Sequence, residues 1–340
     1  MTSSNDRLTS LNDRPPYPDN RATSSNDRTI SSNDRLMFAS MADRPRVTWP
    51  EGKTVAFWHS PNVEHYDWIA PNDAGPKNRV ALPDAQFYMP RDYGNRVAFW
   101  RMLRSIDEFE MAATVSLSLA LLQEVPEVRD AMLERDWEIM SHGISNLRAL
   151  TGYSVEEEDA FFETSQELSR RYYGGRTIRG MLAPRISGTD NTPDLMAKHG
   201  MTYHADWVHD EQPRPLRTTS TNKLVSMPYS FTTNDVPAVG ARAQPIEYFV
   251  ELFEAQLDRL LRDADEDGQG RVLCVATHPY VMAQPHADRY LRQIFERVRS
   301  ESRVWVTTAG AIADHYIKHS YDEQAAFADG LLAELGGVRA

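Results

Sequence analysis

The chain has 340 residues, 41% of them apolar, with 49 acidic against 37 basic side chains and a formal net charge of −12. That size and apolar content suit a large domain with a sizeable core, and the acidic balance, with arginines scattered among acids, excludes the basic stripe that nucleic acid selects. No run approaches the ~18 apolar residues of a membrane span, no signal-like apolar segment opens the chain, and one cysteine, Cys274, excludes an internal disulfide.

These properties lead us to expect a cytoplasmic protein that engages a small-molecule substrate and neither membrane nor nucleic acid. The first forty residues read in register as NDRLTSL, NDRPPYP, DNRATSS, NDRTISS and NDRLMFA. A seven-residue period invites a coiled coil, but the units lack an apolar pair and one carries Pro15, Pro16 and Pro18. Ser, Asn, Asp and Arg bury too little surface to offset ordering entropy, so residues 1–45 are expected to form a disordered low-complexity tail and residues 46–340 a single domain.

Within that domain, short apolar runs alternate with amphipathic helical stretches. Strands are expected at Thr54–Ser60, Ala113–Ser118, Trp137–Met140, Ile178–Leu182, Met201–His204, Leu224–Met227, Arg271–Thr277 and Arg303–Thr307. A helix is expected over Asn95–Glu110. A second opens at Ser154-Val155-Glu156-Glu157, a capping box, and runs to about Tyr173. A short helix, Pro193–His199, stops at Gly200. This alternation implies an α/β fold with a parallel sheet, closed or nearly closed into an irregular (β/α) barrel of about seven to eight strands.

In such folds the site lies at the C-terminal ends of the strands. Those ends carry Asn62, Glu64 and His65; His142 and Asn146; Arg185; Asp206, Trp207, His209, Asp210 and Glu211; Asn234 and Asp235; and His278. Each alone has a structural reading. His142 before Gly143 is also what a strand-end histidine bound to backbone looks like, and the acids after Asp206 read equally as a solvated loop or as a contact for a nitrogen-rich substrate. Their recurrence at nearly every strand end is the functional signal.

In order along the chain, NVEHYDW, RDYGNRVAFWR, WEIMSHGISN, LAPRISGTDNTPDLMAKHGMTYHADWVHDEQP, MPYSFTTND and ATHPYVMAQPHADRYLRQIFERV resemble the polysaccharide-deacetylase (NodB homology) superfamily. The likeness is to the branch that includes metal-independent allantoinase and cyclic-imide hydrolases, and it runs from about Val47 to Lys318. It implies hydrolysis of amide-type C–N bonds on a NodB-like barrel, and a homo-oligomer. The superfamily's deacetylases hold a divalent metal with an aspartate and two histidines four residues apart, beside an aspartate base and a late histidine acid. Carried over, Glu64 takes the metal-carboxylate position and Asn62 that of the base. His142 and Asn146 take the two histidine positions, and His278 that of the acid. Amides thus stand where a base carboxylate and a metal histidine would be.

Zinc catalysis uses three protein ligands and an open water position. Glu64 and His142 supply two, and the neutral carbonyl of Asn146 suits harder ions. His59 or His65 would have to supply a third, yet adjacent strand residues point to opposite faces. No cofactor is therefore expected, with a divalent zinc on Glu64 and His142 as the alternative. Without a metal to lower the pKa of water from 15.7 to about 7, general catalysis of ~10²–10⁴ favours an already electrophilic carbonyl. The expectation is a hydrolase of C–N bonds in a small cyclic amide, imide or ureide. Glu64, His142 and His278 are its catalytic residues, and Asn62, Asn146, Arg185, Trp207 and Asp210 its substrate contacts. The alternatives are a metal-dependent N-deacetylase of an amino sugar or glycan, and a non-catalytic binding protein on the same fold.

Overall fold

The computed structural model describes residues 35–69 and 83–338; the heptad repeats through residue 34 lie outside them. Its sheet contains β1 (Val55–Val63), β2 (Thr114–Leu117), β3 (Glu138–Ser141), β4 (Gly180–Met181), β5 (Tyr203–His204), β6 (Arg214–Leu216), β7 (Leu224–Ser226), β8 (Arg271–Thr277) and β9 (Val304–Thr307). Among the described residues this is a nine-stranded sheet in the order β6-β7-β5-β4-β3-β2-β1-β8, with β9 also on β1. The pairings are parallel except β6 on β7. Strand β6 is the one element of the sheet that period and composition did not announce; its Arg214-Pro215-Leu216 reads as a turn.

Strand β1 carries the architecture. It runs beside β8 from Val55↔Arg271 to Pro61↔Thr277. Its other edge is shared between β9 near the start (Val55↔Val304) and β2 near the end (Asn62↔Ser116). Every residue of β1 is buried, as a parallel strand covered on both faces must be. Alternation then divides its side chains. Ala56 and Trp58 pack inward with Met140, Leu182, Tyr203 and Met227; Val55 and Phe57 pack outward with Phe99, Phe253 and Ile294 of the helical layer.

The barrel is not closed by strand pairing. Between β8 and the β6-β7 end stands the loop after β7, joined to β8 by an isolated Asn234↔Ala276 bridge and by the Thr233 hydroxyl donating to the Cys274 carbonyl at 2.6 Å. The helix Val155–Tyr172 opens with the expected capping box, Glu157 N–H to Ser154 Oγ at 3.2 Å and Ser154 N–H to Glu157 Oε2 at 2.8 Å. The helix expected from Asn95 begins earlier, at Ala85, and continues through a π-helical turn, Gly94–Ala98, into Phe99–Glu108.

Residues 35–45, assigned above to the tail, are packed against the domain. Arg44 grips Asp210 with two nitrogens at 2.5 and 2.7 Å, Arg35 meets Asp194 at 2.5 Å, and Met37 and Ala39 pack with Ala328. Composition missed this because two arginines with matching carboxylates, as well as a small apolar contact, tie the segment down.

Close packing across β4 and β5 yields a test. A Cβ on Gly180 would lie 1.9 Å from Tyr203 Cε2, and the Tyr203 ring is held by its hydroxyl bond to Glu138 at 2.9 Å. Gly180→Ala is expected to destabilise the protein by about 3 kcal/mol. Urea unfolding reads this directly, and an unshifted midpoint would contradict it.

Candidate active site

The alternation that sends Ala56 and Trp58 inward continues past the end of β1 to Asn62, Glu64 and Tyr66. Glu64 is buried at 6% exposure, and its carboxylate is the point on which five side chains converge. Oε2 accepts from the Tyr66 hydroxyl at 2.7 Å and the Tyr280 hydroxyl at 3.1 Å. Oε1 accepts from Asn146 Nδ2 at 2.9 Å and faces His142 Nε2 at 3.3 Å and His278 Nε2 at 3.6 Å. The Glu64 carbonyl takes a further bond from Asn95 Nδ2 at 2.8 Å. Asn95 belongs to the π turn, a widening often found at functional sites.

Each partner is itself positioned. His142 follows β3 and its Nδ1 bonds the Leu182 carbonyl at 2.7 Å. A carbonyl only accepts, so Nδ1 holds the proton and Nε2 is left to face Glu64. Gly143 next to it has φ +72°, and a Cβ there would meet Pro184 Cγ at 2.5 Å, so glycine is needed for the chain to turn under Pro184. Asn146 is brought in by its backbone N–H to the His65 carbonyl at 2.9 Å. It also donates to the Tyr66 hydroxyl at 2.5 Å, while its Oδ1 has no partner among the described residues.

His278 follows β8. Its Nδ1 lies 2.6 Å from Asp235 Oδ1, and its backbone N–H donates to Asp235 Oδ2 at 2.7 Å. Both Asp235 oxygens face donors, which identifies it as a carboxylate despite burial pushing its pKa upward. Burial works to lower the His278 pKa, but the charges of Asp235 and Glu64 outweigh it and push it up to about 10. Burial works to raise Glu64, yet the His278 charge and the His142 and His278 hydrogen bonds hold it well below the usual carboxylate range. At neutral pH the centre is therefore a carboxylate beside an imidazolium, with Nε2–H available for donation.

The structure brings together Glu64, His142, Asn146 and His278. Asn62 lies below them, bonded to the Ser60 carbonyl and the Tyr229 hydroxyl, both at 3.2 Å. Two expected substrate contacts need correction. Asp210 has both oxygens engaged by Arg44, and Trp207 packs edge-on against His204 at 5.0 Å and on the outer core. Arg185 is exposed, with no hydrogen bond or ion pair among the described residues, and shares a left-handed backbone with Ile186 (φ +59° and +55°). Asp235, Tyr66, Tyr280 and Asn95 went unassigned to the site, although Tyr66 and Tyr280 stand two residues after Glu64 and His278.

At the positions where a metal would be held, Glu64 and His142 offer two of the three protein ligands that a transition-metal site uses. Among the described residues no group of three or more His, Cys, Asp or Glu side chains is arranged to hold an ion. Asn146 presents its NH₂ to Glu64 at 2.9 Å, and His65 turns to Glu124 at 3.2 Å. His59 points outward to the Thr277 hydroxyl at 2.8 Å.

An inward carboxylate, a strand-end histidine and a histidine–aspartate pair at the rim of an open α/β barrel define a site of the hydrolytic type. Residues 81–204 match the family model for polysaccharide deacetylase. A peptidoglycan deacetylase of Helicobacter pylori (strain ATCC 700392 / 26695) is 20% identical over 259 residues, covering 67% of this chain and 86% of its own. The solved PuuE allantoinase superposes with a TM-score of 0.72 at 20% identity, over 82% of this chain and 95% of that one. A probable polysaccharide deacetylase of Pseudomonas aeruginosa PAO1 gives 0.70 at 21%, over 81% and 95%. These structural likenesses speak to the fold.

The dyad gives a direct measurement. With Asp235→Asn, burial acts on His278 with less opposition, so its pKa should fall from about 10 towards or below the ordinary ~6.5. Histidine ring NMR across pH reads this shift. An unmoved value would mean that Glu64 alone sustains the charge.

Proposed function

We propose that the protein is a hydrolase of carbon–nitrogen bonds in a small cyclic amide, imide or ureide, working without a metal. The observation that carries this reading is the Asn146 amide donating to Glu64, at the position where a metal-binding deacetylase presents a histidine. The fold shared with PuuE allantoinase is consistent with it.

The protonation states assign the roles. Glu64 orients the attacking water and takes its proton as the water oxygen bonds to the carbonyl carbon. As the C–N bond breaks, the leaving nitrogen takes the proton of His278 Nε2. Glu64 then returns its proton to His278 across the 3.6 Å that separates them, leaving a single ring-opened product that carries the new carboxylic acid and the released N–H. His142 and Asn146 flank the space in which the ring sits. A carboxylate held so far below its usual range is a weak base. It suits a carbonyl already made electrophilic by a second acyl group on the nitrogen, and an isolated acetamide is a poor partner for it.

A second reading, N-deacetylation of an amino sugar or glycan, is favoured by the family match over residues 81–204 and by the Helicobacter relative. Metal content separates the two. Protein purified without added metal is expected to hold well under one equivalent of transition metal by mass spectrometry, and chelation should leave its activity on cyclic imides unchanged. About one equivalent, with activity lost on chelation, would favour the deacetylase.

Glu64→Gln is expected to lower kcat by about 10²–10⁴ with little change in thermal stability. The wild-type rate should be level across neutral pH, because Glu64 loses its proton far below and His278 keeps its own. It should fall as pH rises through about 10, where His278 deprotonates. A rate that instead rises through pH 6–7 would give the proton transfers to a group of ordinary histidine pKa.

A further inference from the structure

Beside Glu64 a crevice of about 370 Å³ opens between the loop after β1 and the helix Ala85–Tyr93, lined among others by Glu64, Tyr66, Tyr88, Arg91 and Asn95. Arg91 occupies it in an unusual state for this acidic chain. Its neighbours Arg96 and Arg148 meet carboxylates, Arg96 taking Asp92 at 2.5 Å and Arg148 reaching Asp67 at 3.4 Å. Arg91 has no carboxylate partner among the described residues. It is held over aromatic faces, with Cζ 3.6 Å from the centroid of Phe87, 4.9 Å from Tyr66 and 5.3 Å from Tyr280.

Its hydrogen bonding is one-sided. Nη1 donates to the Phe87 carbonyl at 2.7 Å, whereas Nε is a buried donor without an acceptor and Nη2 makes no hydrogen bond among the described residues. Nε and Nη2 form the edge of a guanidinium that meets both oxygens of a carboxylate in parallel. A buried donor left unmatched is costly, so this edge calls for an acceptor that the described residues do not provide. The two tyrosines that carry the guanidinium are the two whose hydroxyls bond Glu64, at 2.7 and 3.1 Å. The cation therefore stands about one tyrosine ring from the reacting carboxylate, on the side where the crevice opens.

We infer that Arg91 anchors a carboxylate carried by the substrate, so that the site takes a small cyclic amide, imide or ureide bearing an anionic substituent. This specificity rests on the reading of the site as a cyclic-amide hydrolase, and the anchor has a readout of its own. Binding of hydantoin and of hydantoin-5-acetate, a neutral and a carboxylated cyclic ureide, is measured by calorimetry on the full chain and on Arg91→Met and Arg91→Lys. The wild type is expected to bind the carboxylate at least about tenfold more tightly, with Arg91→Met abolishing the preference and Arg91→Lys keeping part of it, since lysine retains the charge without the fork. Arg91→Lys also guards against a folding defect in Arg91→Met.

Equal affinities in the wild type, an undiminished preference in Arg91→Met, or binding of neither compound would overturn the anchor. Hydrolysis of neutral imides together with any of these results would remove the anchor while leaving the proposed function standing. Tight, Arg91-dependent binding with no ring hydrolysed would do the reverse.

Discussion

A carboxylate buried at the centre of a protein must be matched by donors or it will take up a proton, and the arrangement around Glu64 follows from that requirement. Two tyrosine hydroxyls, an asparagine amide and the His278 imidazolium are gathered round it from the ends of β1, β3 and β8. The same donors that make the charge tolerable also weaken it as a base. Chemistry at such a centre depends on geometry and on a responsive substrate more than on the strength of the proton acceptor. The neighbouring histidine is set the opposite way: its aspartate and Glu64 keep it charged, so acid and base are held apart in pKa by their surroundings.

Much of this was legible before any coordinates. The strands expected at Thr54–Ser60, Ala113–Ser118 and Arg271–Thr277 correspond to β1, β2 and β8, because continuous apolar runs bounded by polar residues have few other uses in a parallel sheet. Glu64, His142 and His278 were singled out by a positional rule, that strand ends carry the chemistry, and the structure brings their side chains together because backbone direction is shared by every parallel strand.

What escaped was of a different kind. The loop acids around Asp210 looked like a site because composition shows charge but not pairing, and only the fold reveals that Arg44 lies against them. Asp235 was noted at a strand end without a role, since its partner is 43 residues away in sequence. Tyr66 and Tyr280 were within reach of period-two reasoning. Tyrosine is so commonly a core residue that the alternation carries little weight until something for the hydroxyl to bond is known. Arg91 was unreadable for the same reason: an arginine's significance here lies in the partner it lacks.

The open seam of the barrel gives the site a mechanical dependence of its own. Between β8 and the β6-β7 end, the sheet is bridged by the loop that includes Thr233, Asn234 and Asp235. The residue that orients and charges His278 thus sits in the structure's stopgap, where a single bridge stands in for a ladder. Thr233, Asn234 and Asp235 are buried, so opening of that loop is resisted by packing as well as by the bridge. It would free His278 and strip Glu64 of a neighbouring positive charge while most of the sheet and helices remained intact. Catalytic competence in this fold is thereby tied to the fidelity of one short splice, and a molecule that is folded by every global measure is not for that reason an active one.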